Sequence, residues 1–195
     1  MNEILWHNRA RKQMKKIPVR YREAILEYVD KLVAFPICEQ LDITELKNHK
    51  YEYRLRVGRY RVLFNHANVV KIIEIQEEKK EMDVHTDPQI IKQNGKPAFA
   101  VIPWSEYQAL IHKQAEPDES DVWFPNEIVK ANVRGESLIK AWREYFKLTQ
   151  AELATKAGMK QSALARIENG NSSPRKTTLS KLSEAMGISV DQLID

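Results

Sequence analysis

The chain has 195 residues, 43% of them hydrophobic, enough for one large domain or two small ones with a real core. No apolar run is long enough to span a bilayer, and the start reads without a secretory leader. One cysteine, Cys38, excludes an internal disulfide and, with the rest, points to the cytoplasm. The net charge of +4 is uneven: 17 Lys+Arg stand against 11 Asp+Glu in residues 1–80, 5 against 9 in residues 81–135, and 9 against 7 in residues 136–195. A basic front, an acidic middle and a mildly basic end suit two nucleic-acid-facing parts around a neutralising segment. The histidines and the cysteine show no metal-ligand spacing, so neither a metal nor a cofactor is expected.

The chain opens with a short strand, residues 2–7, after which Asn8 is placed to cap a basic helix to about Lys16. Pro18 suits the first turn of a second helix. In it Tyr21, Ala24, Ile25, Tyr28, Val29, Leu32 and Val33 recur at helical spacing until Phe35-Pro36 ends it. Three strands follow. Residues 51–57 alternate, with Tyr51, Tyr53, Leu55 and Val57 on one face and Glu52, Arg54 and Arg56 on the other. Gly58-Arg59 makes a two-residue turn, residues 60–64 return, residues 65–68 turn again, and residues 69–76 form the last strand.

This order, with the run Leu55-Arg56-Val57-Gly58-Arg59-Tyr60-Arg61-Val62-Leu63-Phe64, resembles the RelE/ParE superfamily of bacterial toxins. The RelE and HigB branches are ribosome-dependent messenger-RNA interferases, and the ParE branch poisons gyrase; the motif does not choose between them. The resemblance implies a small domain of two helices on an antiparallel sheet. It makes Arg61 the phosphate-binding arginine and places Arg54 and Glu52 where the RelE pattern has two lysines. The family's tail arginine and tyrosine fall on Glu81 and His85.

Cleaving RNA by its own 2′-hydroxyl needs a proton acceptor, cations on the phosphate and a donor to the leaving 5′-oxygen. The catalytic candidates are therefore Arg54, Arg61 and His85, the last because it titrates near neutral pH, although a solvated place in a tether is the plainer reading. Lys47, Lys50, Arg56 and Arg59 are the RNA-binding candidates. The bland alternative is a basic strand face that grips RNA without chemistry.

In the middle, residues 90–93 and 97–103 read as two strands around Asn94-Gly95. Ser105 with Gln108 caps a helix to about Gln114, and the run Gly95-Lys96-Pro97-Ala98-Phe99 onward resembles the start of a Phd-type antitoxin. Residues 116–121 are an acidic linker, and Trp123 and Phe124 beyond it are docking anchors.

Helices near residues 126–133 and 137–146 precede the most informative stretch, residues 148–170. Thr149 with Glu152 forms a capping box that starts a helix, Gly158 ends it, and a second helix runs from about Lys160 to Glu168. Leu153, Ala157, Met159, Leu164 and Ile167 can face one another across that turn. Residues 137–194 resemble the helix-turn-helix of the phage-repressor (XRE) family, with Arg143 and Glu168 in the places of a paired arginine and glutamate. The resemblance implies an all-α domain that binds operator DNA. Gln161, Ser162 and Arg166 would read bases, Gln150 would hold a phosphate, and Lys160, Arg175 and Lys176 would add cations. One such unit reads few base pairs, so a homodimer is expected, with Leu193-Ile194 offered as a contact.

The reading is an α+β chain: a RelE-like domain over residues 1–81, a linker with an antitoxin hairpin and helix over 82–122, and a helix-turn-helix domain over 123–195. Its expected partners are operator DNA and ribosome-bound mRNA, with no membrane. The competing reading is a transcriptional repressor carrying a catalytically dead toxin remnant.

Overall fold

The computed structural model describes residues 1–38, 40–47, 49–78, 89–93, 95–101 and 122–194, with the backbone alone at residues 89, 96, 97 and 100. The chain divides into two compact units. One is formed by Met1–Glu77 together with Asp121–Asp195, the other by Glu78–Ser120. The front and rear of the sequence thus share one folded body.

Strand β1 (Glu3–His7) leads into helix α1 (Asn8–Lys16) and helix α2 (Val19–Asp30), followed by a 3-10 turn over Lys31–Ala34. Strands β2 (Ile43–Glu45), β3 (Tyr53–Val57), β4 (Tyr60–His66) and β5 (Val69–Glu77) follow. The other unit contains the hairpin of β6 (Gln89–Gln93) and β7 (Lys96–Val101), antiparallel with Ile91 opposite Phe99. Ile90, Ile91, Phe99 and Val101 are all exposed on it. The rear contributes β8 (Trp123–Pro125), then helices α3 (Asn126–Val133), α4 (Leu138–Tyr145), α5 (Gln150–Lys156), α6 (Gln161–Glu168) and α7 (Lys176–Met186), and a 3-10 turn at Val190–Leu193.

The main sheet has the order β2-β3-β4-β5-β1-β8. Three details depart from the sequence reading. The sheet is mixed rather than antiparallel, because β1 returns beside β5 in parallel, as the α1–α2 crossover allows. Two three-residue strands, β2 and β8, carry too little periodicity to be seen in sequence. Residues 31–34 leave the α-helix for a tighter turn. The Gly58-Arg59 turn forms as expected, Gly58 taking φ +56° with Val57 paired to Tyr60, a place that favours glycine over any residue with a Cβ.

The core is continuous through this body. Trp6, Met14, Ile25, Val29, Leu55, Val62, Phe64 and Ile72 from the front join Phe124, Ile128, Val129, Leu138, Trp142, Leu153, Leu164 and Leu182 from the rear. Full burial of a large apolar side chain stabilises by about 1.5–3 kcal/mol, so the shared packing outweighs any one polar contact. The join is β8 lying antiparallel on β1, with Trp6 opposite Phe124 and both fully buried. Trp123 and Phe124 are thus the docking anchors their composition suggested.

Polar groups at the join are satisfied in a chain. The Trp6 indole donates to Asn126 Oδ1 at 2.9 Å, the Asn126 amide donates to Asp30 Oδ1 at 2.7 Å, and Lys130 Nζ closes on Asp30 Oδ2 at 2.6 Å. Arg11 is fully buried. Its guanidinium donates to Asn8 Oδ1, to Asn132 Oδ1 at 3.0 Å and to the Ile194 carbonyl at 3.2 Å, and it lies over the Phe124 ring. Two expectations are corrected here. His7, not Asn8, caps α1, its ring accepting from the Arg9 amide, which leaves the Asn8 side chain to hold Arg11. Leu193 is buried in this body rather than presented for a dimer, because the last turn folds back on Trp142 and Trp123: the Trp142 indole donates to the Gln192 carbonyl, and the Gln192 amide donates to the Trp123 carbonyl.

Candidate functional site

Alternation along β3 and β4 sorts the front residues into two faces. Tyr53, Leu55 and Val57 pair with Phe64, Val62 and Tyr60 and turn to the core. Arg54 pairs with Leu63, and Arg56 lies directly opposite Arg61, so three arginines share the other face, on which Leu63 is buried. From β5, Glu74 and Gln76 join that face opposite Leu63 and Arg61. Arg56 is exposed and Arg54 half-buried, but Arg61 is buried, its guanidinium donating to the carbonyls of Gly58 and Tyr60 at 3.1 Å each.

Two residues of that face carry more than the sequence suggested. Tyr51 precedes β3 instead of belonging to it, and its hydroxyl donates to Glu74 Oε2 at 2.9 Å rather than packing with Tyr53. Glu74 also receives Arg9 Nη2 from α1 and Gln76 Nε2 on Oε1, both at 3.2 Å. The only sequence signal for Glu74 is an acid in a mostly apolar run, Val69-Val70-Lys71-Ile72-Ile73-Glu74-Ile75, which also holds Lys71. Its meaning depends on which face it joins.

Of the other front candidates, Lys47 and Lys50 are exposed, Lys50 over the Tyr51 ring. Arg59 is exposed at the hairpin tip, ion-paired with Glu77 and set over the Tyr21 and Tyr60 rings. Glu52 is taken up structurally: its carboxylate accepts from the His66 amide while its own amide donates to Asn65. Glu81 and His85 lie outside the described residues, as do Trp104, the helix expected after Ser105 and the acidic linker.

In the rear, α5 and α6 form the expected pair. Thr149 and Glu152 make the capping box in both directions, and those hydrogen bonds from Thr149 hold the Glu152 carboxyl below its ordinary range. Gly158 turns the chain at φ +61°, and Leu153, Ala154, Ala157, Leu164 and Ile167 pack beneath. Lys160 precedes α6 without a side-chain cap. Gln161, Ser162 and Arg166 are exposed along α6, and Arg175 and Lys176 are exposed at the start of α7.

Beneath this surface Arg143 donates to Glu168 through Nε at 2.7 Å and Nη2 at 3.1 Å, with side chains only 10% and 1% exposed. The Glu168 hydrogen bond, ahead of its charge, pushes the Arg143 guanidinium further up. Gln150 donates its amide to Glu168 Oε2 at 2.8 Å, so it braces the first residue of α5 against the end of α6. Among the described residues no cluster of three metal-ligating side chains occurs, and no helix is long and apolar enough to cross a membrane.

Residues 4–82 match the family described as ParE toxin of type II toxin-antitoxin system, parDE, and residues 139–193 match the helix-turn-helix family. Among solved structures, the chain is similar to the N-terminal DNA-binding domain of SinR from Bacillus subtilis. The identity is 36% over 29% of this chain and 84% of that one, with a TM-score of 0.28. It is also similar to the archaeal RelE–RelB complex from Pyrococcus horikoshii OT3, at 25% identity over 40% of this chain and 97% of that one, with a TM-score of 0.36. No curated protein matches.

Proposed function

Since this chain carries a ParE/RelE toxin-family domain at its front and belongs at its rear to the XRE-type helix-turn-helix family, we propose that it is a type II toxin–antitoxin fusion. The rear domain binds operator DNA as a homodimer and represses its own transcription. The front domain is a ribosome-dependent mRNA endonuclease that the middle segment holds in check. The observation that supports this reading is the sheet face shared by Arg54, Arg56 and Arg61, in one body with the exposed row Gln161, Ser162 and Arg166.

The chemistry follows from the residue types. Arginines hold their protons and serve as fixed cations on the phosphate as charge builds. A strand places them more firmly than a loop would. Arg61 takes phosphate by exchanging the Gly58 and Tyr60 carbonyls for it. On DNA, glutamine pairs with adenine and arginine with guanine in the major groove, while Lys160, Arg175 and Lys176 meet the backbone.

The alternative is a repressor whose toxin fold is a remnant. The inward turn of the Arg61 guanidinium favours it.

The test keeps the shared body intact. Cutting the chain after the front domain would strip β8 from β1 and leave Arg11 without Asn132. Residues 89–120 are instead replaced by a Gly/Ser linker of equal length, and this chain and the full chain are induced in bacteria. Growth arrest with loss of translation from the linker chain alone supports the fusion reading. Arrest with DNA damage identifies a gyrase poison. Normal growth with both chains, and operator binding retained, leaves the repressor.

A further inference from the structure

RNA cleavage through the 2′-hydroxyl requires a group that accepts its proton, and arginine cannot. Around Arg61, among the described residues, strands β3 to β5 place Arg54, Arg56, Leu63, Asn65, Lys71, Glu74 and Gln76 on this face. Glu74 is the one carboxylate among them, and a carboxylate can act as a base where arginine cannot. We propose that Glu74 is the general base of this face, an assignment that rests on the endonuclease reading above.

The geometry suits the role. Glu74 is rooted in a central strand, and three donors from three directions fix its carboxylate. Arg9 and Gln76 both occupy Oε1, and Tyr51 occupies Oε2. Each carboxylate oxygen has two lone pairs, so Oε1 is filled and Oε2 keeps one acceptor position among the described residues. The side chain is 12% exposed, so it is not sealed in the interior. Arg61 lies opposite Gln76, and Glu74 is the diagonal neighbour two residues along. Diagonal neighbours of adjacent strands stand about 7–8 Å apart, so the two residues belong to one patch of the sheet.

In the step itself, Oε2 takes the 2′-proton while the 2′-oxygen bonds to phosphorus, and the bond from phosphorus to the 5′-oxygen breaks. The products are a 2′,3′-cyclic phosphate and a 5′-hydroxyl. The leaving oxygen takes its proton from water, and Glu74 returns its own to solvent.

The experiment measures mRNA cleavage on programmed ribosomes by the full chain and by the linker chain, each with Glu74, Glu74→Gln and Glu74→Ala. General-base removal is worth roughly 100-fold or more. The Gln variant is expected to lose that much with its melting profile kept, and added formate is expected to restore cleavage to the Ala variant. Because the new amide would face the Arg9 guanidinium, Arg9→Met/Glu74→Gln is measured beside it, so that a folding defect cannot stand in for lost chemistry. Cleavage by Glu74→Gln within about threefold of the parent, or loss on His85→Asn in its place, overturns the assignment and leaves the endonuclease intact. Absence of cleavage by both parent chains overturns both.

Discussion

Arg11 and Asn132 stand 121 residues apart in sequence and meet side chain to side chain at 3.0 Å in the interior. Arg11 belongs to α1 of the toxin-family part and Asn132 to α3, which leads into the helix-turn-helix. The contact lies between a front and a rear that are one folded body rather than two domains on a tether.

Arg11→Met should therefore destabilise front and rear together. It leaves Asn8 and Asn132 buried without their donor, at about 1–3 kcal/mol for each orphaned group. In urea, far-UV circular dichroism and tryptophan fluorescence should shift to a lower common midpoint. Two separated midpoints would show that the halves unfold independently.

Glu168→Ala should cost about 3–5 kcal/mol, because it strands the buried Arg143 guanidinium and takes the acceptor from Gln150. Gln150→Ala should cost less, and the double mutant should lose less than the two losses added, since both act on one network. Thermal or urea unfolding checks this, and strict additivity would refute the shared network.

The Glu152 carboxyl is depressed by its hydrogen bonds with Thr149, from an ordinary value of 4.5. A depressed folded value means that the capping box stabilises fully above the unfolded value and loses its contribution as pH falls through the folded one. The wild-type chain should lose stability over that acidic window slightly faster than Glu152→Gln, which has no carboxyl to titrate. Parallel stability curves for the two would contradict the linkage.

The Tyr60 ring is buried, and among the described residues its hydroxyl has no hydrogen-bond partner. Tyr60→Phe should be neutral or stabilise by up to about 1 kcal/mol, since an unsatisfied buried hydroxyl costs free energy. A clear loss of stability in urea would mean that the hydroxyl has found a partner in solution.

Arg166 is exposed on α6 and stands clear of the Arg143–Glu168 network. Arg166→Ala should weaken operator binding by about 1–3 kcal/mol and relax discrimination at one base pair in each half-site. Equal losses on operator and random DNA, read by titration at fixed salt, would make it a backbone contact.

The sequence by itself determined what is local. The capping box at Thr149, the turn at Gly158, the hairpin at Gly58 and the arginine alternation along β3 depend on residues within a few positions of one another, so spacing and side-chain chemistry specify them. The Arg143–Glu168 pair spans 25 residues and was still legible, because it rides on a family pattern. Tertiary structure alone decided the rest. Three residues of β8 have no periodicity to read, yet they pair with β1 because Trp6 and Phe124 bury each other there. Arg11 looks like one more cation in a basic helix, and only the arrival of Asn132, Phe124 and the Ile194 carbonyl makes it an interior residue. Glu74 reads in sequence as one of several charged residues of β5. It becomes a candidate base because sheet register sets it on the face of Arg61, and register is a property of strand pairing that no single strand contains.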